Sequence, residues 1–246
     1  MRSLLTNGRM ITFAAGSDDI VREIRHFFAE QIWNLEQDLI RLGSVSARML
    51  QKSMQALVDQ NIELAKEVIQ EDDVADDLDL HIEQRCMHLL AQQQPMAKDL
   101  RTIGSILKAI TDLERIGDFA CDIAHEVMAL ADEPYYKPLD VLSRMGEKVF
   151  AMVSDTLEAF STRDLGAVRR ICTVQEDEID DLYREVTAEL ISHMRNEPSV
   201  VVQATHFMFV AHYLERMADH ATNVGERIYY IETGQLKEFN DENTVG

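Results

Sequence analysis

The sequence predicts an all-α protein, a tandem repeat of two antiparallel three-helix bundles with six long helices in all. Three observations point there. Gly and Pro, the residues a helix interior tolerates least, number only 10 and 4 in 246 residues. From Val21 onward apolar residues recur at helical spacing, and no alternating Val/Ile-rich segments joined by hairpin turns are found, so no sheet is expected. Local sequence from the first half also returns in the second. Leu113-Glu114-Arg115-Ile116-Gly117-Asp118-Phe119-Ala120 is matched by Leu214-Glu215-Arg216-Met217-Ala218-Asp219-His220-Ala221. Asp72 and Asp76, followed by Leu78, are matched by Glu176 and Asp180, followed by Leu182. A repeat of roughly a hundred residues is a duplicated domain, because solenoid units run to about 20–50.

Each element follows in order. Residues 1–20 contain the turn-like Asn7-Gly8 and Ala15-Gly16-Ser17-Asp18 and lack the long apolar stretch of a signal peptide. They read as a flexible N-terminal extension, or as residues from an upstream start codon, with the structured chain beginning near Val21. The first helix covers 21–58 through Phe27, Phe28, Leu35, Leu39, Leu42 and Leu50. The second covers 62–93 through Val68, Val74, Ile82 and Cys86, and Gln94-Pro95 breaks it. The third passes through Ile103, Ile110, Ile116 and Val127 and closes a first bundle over 21–131. Residues 132–138 hold Pro134 and Pro138 and read as the linker. The second bundle, 139–234, has helices over 139–160, 165–195 and 200–233. Thr162-Arg163-Asp164 ends the first of these, Pro198 breaks the second, and Gly234 stands just past the third. The polar tail, 235–246, is expected to fray.

Composition bounds the partners. Hydrophobic residues make up 46%, enough for a real core. Asp and Glu outnumber Lys and Arg 44 to 24, a formal charge of −20 that repels nucleic-acid phosphates and anionic lipid. Cations and basic protein surfaces are the natural ligands. Cys86, Cys121 and Cys172 lie far apart without a C-x-x-C, so they read as buried thiols rather than a zinc site or redox pair. An odd cysteine count suits a reducing cytoplasm. No window approaches the ~18 uninterrupted apolar residues of a membrane span, so membrane association is expected only through partners.

The carboxylates carry the functional signal. Residues four apart share a helix face, so Asp72/Asp76, Glu114/Asp118, Glu176/Asp180 and Glu215/Asp219 are four acidic pairs. Asp76 and Glu114 are equally distant from Pro95, and so are Asp72 and Asp118. The second-half pairs are likewise level about a point between Glu197 and Pro198. Folding each hairpin there sets two acidic pairs side by side, roughly 28 Å from the turn at about 1.5 Å per residue. Like charges ~5 Å apart repel by about 3 kcal/mol at an effective dielectric of 20. Such a quartet needs a bound cation, raised pKa values or intervening solvent. Arg115 and Arg216 are imperfect counter-charges, since helix neighbours point about 100° apart. Carboxylate oxygens suit Mg²⁺, Mn²⁺, Ca²⁺ or iron, and a solvated or salt-bridged cluster is the alternative. Glu114 and Asp118 fall on the flank of the apolar face, so an open site is expected.

Other chemistries are disfavoured. A buried di-iron core would need paired Glu-x-x-His, and the sole Glu-x-x-His is Glu23…His26, at a helix start. His125 and His220 read as surface or edge histidines, and Trp33 and the methionines as packing residues. No P-loop, dinucleotide fingerprint, nucleophile elbow or Cys-His arrangement is present, so no enzyme is indicated.

The segment Gln92-Gln93-Gln94-Pro95-Met96-Ala97-Lys98-Asp99-Leu100-Arg101 resembles the "QQP-x-A-x-DLR" hairpin of the PhoU family of phosphate-uptake regulators. Leu113–Ala120 and Leu214–Ala221 look like its two "LER-x-x-D-x-A" motifs, and Arg25-His26-Phe27 is similar to its usual start. The likeness covers about residues 25–232. It implies metal held by E/D-x-x-x-D motifs, here Asp72, Asp76, Glu114, Asp118, Glu176, Asp180, Glu215 and Asp219. Asp122 extends the first motif, whereas its counterpart is Asn223. The metal expected is a divalent or trivalent ion, with iron, manganese, magnesium and zinc as candidates. The resemblance further implies a cytoplasmic, non-enzymatic negative regulator that links the ATPase subunit of a phosphate ABC transporter to a sensor histidine kinase. A homodimer is expected, and no nucleic-acid partner. Two other readings are a carboxylate-metal enzyme, which lacks a base and a water-excluding pocket, and a metal-buffering helical scaffold.

Overall fold

The computed structural model describes residues 5–6, 9–10, 17–92 and 95–239. Helices α1 (Ser17–Asp59), α2 (Ile62–Gln92) and α3 (Ala97–Ala129) form the first bundle. The second contains α4 (Asp140–Thr162), α5 (Leu165–Arg170), α6 (Glu176–Asn196) and α7 (Val201–Thr233). A π-helical turn, Ile171–Gln175, joins α5 and α6 into one rod, so the six expected rods are present. α1 begins at Ser17 rather than near Val21. Most of the expected extension, residues 93–94 of the hairpin motif and tail residues 240–246 lie outside the described residues. The expectation of no sheet fails at four residues, where Leu5–Thr6 pairs antiparallel with Arg9–Met10. The residues between them in sequence, Asn7-Gly8, are a favoured hairpin dipeptide.

Local chemistry sets the ends of the rods. Asn61 and Asp164 cap α2 and α5: Asn61 Oδ1 accepts from Leu64 N at 3.1 Å, and Asp164 Oδ1 accepts from Gly166 N at 2.8 Å. The residue before each cap is left-handed, Gln60 at φ 50° and Arg163 at φ 58°. A non-glycine side chain there costs about 1–3 kcal/mol, so contacts elsewhere must hold it. Gln60 Nε2 donates to Glu133 O at 2.9 Å. Arg163 pairs with Glu36 and lies 4.2 Å over the Phe160 ring. Gly234, at φ 72°, ends α7 without that cost.

Four rods form the centre: α3 packs antiparallel on α7, and α1 on α4, while α2 and α6 lie outside. The two bundles share one continuous apolar core. Gly43 and Gly146, 103 positions apart, let α1 and α4 approach. A Cβ added at Gly43 would meet Leu157 Cδ2 at 2.4 Å, and one at Gly146 would meet Met54 Cε at 2.8 Å. Leu157 and Met54 are themselves 103 positions apart, so the two contacts are one contact repeated by the internal symmetry. The linker is tied down: the Tyr135 hydroxyl donates to Leu57 O at 2.9 Å and Tyr136 N donates to Gln203 Oε1 at 3.1 Å.

Three details depart from the sequence expectations. Trp33 is 58% exposed and belongs to no core, and Phe27 and Val74 are also exposed. Among the described residues, most side chains at the start of α1 and on the outer face of α2 are exposed. Phe239 is buried, packs edge-on against Tyr229, and its N–H donates to Glu226 Oε1 at 3.0 Å. Phe239 thereby holds the described part of the tail, residues 235–239, against α7.

The π-turn resolves the uneven repeat spacing. Gln60 and Arg163 are 103 positions apart, yet Asp76 and Asp180 are 104 apart. A π-turn holds one residue more than an α-turn, so Ile171–Gln175 absorbs the insertion without shifting the face that α6 presents. It lies close to α7, where a Cβ on Gly225 would come 2.6 Å from Cys172 Sγ. Gly225→Ala is therefore expected to overpack this seam. In a double-mutant cycle with Cys172→Ala, urea denaturation should give a coupling of about 1–2 kcal/mol. Additive effects would mean that the thiol simply rotates aside.

Candidate functional site

Because α2 and α3 fold back at Pro95, Asp72 and Asp76 come against Glu114 and Asp118. One oxygen each from Asp72, Asp76 and Asp118 lies within 4.8 Å of the others. Glu114 sits one turn along α3 and feels Asp118, Asp79 and Asp76. In the α6–α7 seam Asp180, Glu215 and Asp219 sense one another's charge. Among the described residues, however, they and Glu176 do not converge as the first trio does. Burial pushes the Cys172 thiol's pKa up, with smaller contributions from Glu226 and Glu176.

Burial dominates the electrostatics. It holds Asp72 and Asp118 above the ordinary carboxylate range; the Cys121 thiol opposes the shift of Asp72 and Arg115 that of Asp118, while Asp76 adds to both. Glu114 is raised by burial and then by Asp118. Asp122, beside Asp72, is raised by burial against the opposing pull of His125. Asp180, Glu215 and Asp219 are raised for the same first reason. The sites are therefore more enclosed than the helical wheel suggests, since the outer helix of each hairpin leans over the flank of its partner.

The arginines also differ from expectation. Arg115 Nη1 reaches Asp118 at 2.7 Å and Arg216 Nη1 reaches Asp219 at 3.1 Å, both one turn along their helix. A long side chain bends back to the i+3 position although its Cβ points elsewhere. Arg115 Nε also stands 3.6 Å from Glu114 Oε2, so one arginine serves both carboxylates of the α3 pair, and His212 stands 3.5 Å from Glu215 in the second cluster.

Two buried oxygens test whether a cation fits. Asp72 Oδ1 is buried without a hydrogen bond, and so is Glu215 Oε2, with His212 Nδ1 standing 3.5 Å away. Ionised carboxylates only accept, so such atoms need a donor or a metal. The Cys121 thiol lies 3.7 Å from Val68 O and also within reach of the Asp72 carboxylate, where it acts as a weak donor that opposes the raised pKa of Asp72; burial pushes the thiol's own pKa far up, so it stays protonated. The donor set is all oxygen, which fits a hard cation.

Sequence reasoning missed Asp79 and Glu83. Asp79 Oδ1 is also buried without a hydrogen bond, and burial and then Glu83 raise its pKa. The signal was present: 72, 76, 79 and 83 follow the four-three-four spacing of one helix face. His220 is not a surface histidine. Its Nδ1 lies 2.9 Å from Asp112 Oδ1, which also accepts from Asn223 Nδ2 at 3.0 Å. Phe119 stacks on Tyr213 across the same seam, at 5.9 Å between centroids. The first pair is the repeat equivalent of the second, so one crossing of α3 and α7 is polar at one end and aromatic at the other. His125 is exposed, as expected.

These raised carboxylates fix the sign of a pH effect. With folded pKa values above the unfolded ones, the native state binds more protons, so stability contributed by these groups falls as pH rises through the raised values. Lowering the pH from neutrality toward about 4, the usual carboxylate range, should raise the melting temperature of chelator-treated protein. Asp72→Asn with Asp118→Asn should flatten that slope; an unchanged slope would place its origin elsewhere.

No helix among the described residues is long and apolar enough to cross a membrane. A PhoU domain is matched twice, over residues 39–127 and 142–228. A phosphate-specific transport system accessory protein PhoU homolog from Clostridium acetobutylicum is 38% identical over 88% of this chain and 99% of its own. The homolog from Aquifex aeolicus is 37% identical over 84% and 93%. The crystal structure of PhoU from Pseudomonas aeruginosa superposes with a TM-score of 0.81 at 30% identity, covering 85% of this chain and all of that one. That of the phosphate transport system regulatory protein PhoU from Streptococcus pneumoniae gives 0.80 at 30% identity. These relatives are named as accessory or regulatory proteins, not as enzymes. With the same domain matched in both halves and relatives similar over nearly their whole length, the chain belongs to the PhoU family.

Proposed function

We propose that this chain is a cytoplasmic negative regulator of phosphate uptake and of the phosphate-starvation response, coupling a phosphate ABC transporter to a sensor histidine kinase. The observation that carries this is the match of both repeats to the PhoU domain, with relatives named as accessory to phosphate-specific transport. The chain's net charge of −20 favours basic partner surfaces.

Metal is part of the proposal. Asp72, Asp76 and Asp118, with Glu114 and Asp122 alongside, would hold a divalent or trivalent cation; Glu176, Asp180, Glu215 and Asp219 form the second, looser set. A bound cation would supply positive charge that joins the two helices of each hairpin. The orphaned oxygens of Asp72 and Glu215 support this reading. The salt-bridged alternative finds support in Arg115 and Arg216, and stoichiometry separates the two. A homodimer is the proposed assembly.

Two outcomes are expected. Deleting the gene should raise transcripts of phosphate-starvation genes in phosphate-rich medium; unchanged transcripts would overturn the regulatory reading. Protein purified without chelator or affinity metal should contain bound metal by elemental analysis. Asp72→Asn with Asp118→Asn should lower that content while the helical circular dichroism is kept. Wild-type content in this variant would remove the first cluster from the proposal.

A further inference from the structure

The internal symmetry exposes one place where the two ends of the molecule differ. At one end the C-terminus of α7 is clamped by the first turns of α3. Arg101 Nη2 donates to Ile231 O at 3.3 Å and Nε to the same oxygen at 3.4 Å, while Lys98 Nζ lies 3.2 Å from Glu232. The last carbonyls of a helix carry partial negative charge, and a guanidinium there is a fitting counter-charge. At the other end the repeat replaces Arg101 by Val202, Lys98 by Ser199 and Ile231 by Leu130, each 101 positions away. The C-terminus of α3 therefore lacks the basic clamp that its counterpart has; Leu130 O receives only a long, uncharged bond from Gln60 Nε2 at 3.5 Å, an amide held mainly by Glu133 O at 2.9 Å.

An open groove of about 560 Å³ lies where that clamp would be, lined by both Leu130 and Val202. Asp132, Glu133 and Glu197 stand around it, all exposed. The only basic lining residue is His206, which is already paired with Glu126. Tyr136 and Pro134 form an apolar wall, and the Tyr136 hydroxyl oxygen is buried without a hydrogen-bond partner. Val202 is 68% exposed and Val201 39%. The groove thus combines carboxylates, a helix C-terminus, an aromatic ring and an uncovered aliphatic patch.

We infer that this groove is the docking site for an arginine-bearing segment of a partner protein, whose guanidinium takes the place at the α3 C-terminus that Arg101 takes at α7. The intramolecular clamp supplies the precedent, and the three carboxylates supply the charge complementarity. Tyr136, whose ring packs against Phe207 and His193, gives the groove an apolar wall for the arginine's alkyl stem, and Val201 and Val202 favour apolar residues next to the arginine. The groove is separate from the carboxylate clusters of the α2–α3 and α6–α7 seams, and the inference stands whether or not those clusters hold metal.

The test uses the full chain and a fluorescein-labelled nonapeptide of glycine, leucine and two arginines, followed by anisotropy. A twin peptide with citrulline in place of arginine removes the charge and keeps the shape. The arginine peptide should bind at least about tenfold tighter than its twin. Val202→Arg copies the Arg101 clamp into the groove and should weaken binding about tenfold or more, as should Asp132→Asn with Glu133→Gln and Glu197→Gln. Val202→Ile, which keeps the aliphatic patch and adds no charge, should leave binding within about twofold. The control variant Glu30→Gln with Glu147→Gln and Glu158→Gln removes as much charge from exposed positions elsewhere and should also stay within about twofold. Equal weakening by the control, or undiminished binding by Val202→Arg, would overturn the groove as the site and leave only general attraction to an acidic surface. Residue 202 is exposed, so its variants are expected to fold, and circular dichroism of each variant checks this.

Discussion

Everything in this molecule hangs on the antiparallel contact between α3 and α7. These two helices carry a large share of the buried apolar side chains, and each also forms one wall of a carboxylate cluster. Their packing fixes where Asp118 and Asp219 stand before any outer helix is added. The outer helices then have no freedom of register, because each is joined to its inner partner by a short turn and buries a stripe such as Val68, Ile82 and Cys86 on α2. Sliding by one residue would turn that stripe toward water, at roughly 1.5–3 kcal/mol for each large side chain exposed. Hydrophobic packing thereby holds like charges close together and half-buried. The raised pKa values are the result of that constraint.

The duplication is followed faithfully in the core and loosely at the surface. Gly43 on Leu157 and Gly146 on Met54 repeat one contact. The thiol contacts repeat with roles exchanged: Cys121 on α3 donates to Val68 O, whereas Cys172 in the outer rod donates to Thr222 O on α7. The one-residue insertion before Glu176 is absorbed by a π-turn rather than by a slipped helix. Departures appear where packing does not dictate the residue. Asp112 with His220 stands opposite Phe119 with Tyr213, Asp79 and Glu83 enlarge only the first cluster, and Val202 replaces Arg101. The two halves are alike in scaffold and unlike in chemistry, so different tasks at the two ends are structurally possible without any change of fold.

Much of this was legible in the chain. Helix limits followed from Pro95, Pro198, Gly234 and the Thr162-Arg163-Asp164 break, since backbone chemistry acts over a few residues. The level placement of Asp72 with Asp118 followed from the distance of each to Pro95, because two straight antiparallel rods leave little else to vary. The family motifs added the link to phosphate, which no periodicity carries. Asp79 was missed although its spacing was visible, because attention to four-residue pairs passed over the three-residue step that completes the helix face.

Sequence alone determined the all-helical class, the duplication, the six rods and the acidic pairs, all properties of local spacing and turn chemistry. Only the tertiary structure decided how far each carboxylate is buried and which three of them converge. It also decided that Arg115 and Arg216 reach back to a neighbour, and that His220 bridges the two bundles. The uncovered end of α3 came from the same source. Those features depend on how one helix leans on another and on what remains unpacked beside it, and neither is encoded in the spacing of residues along a single rod.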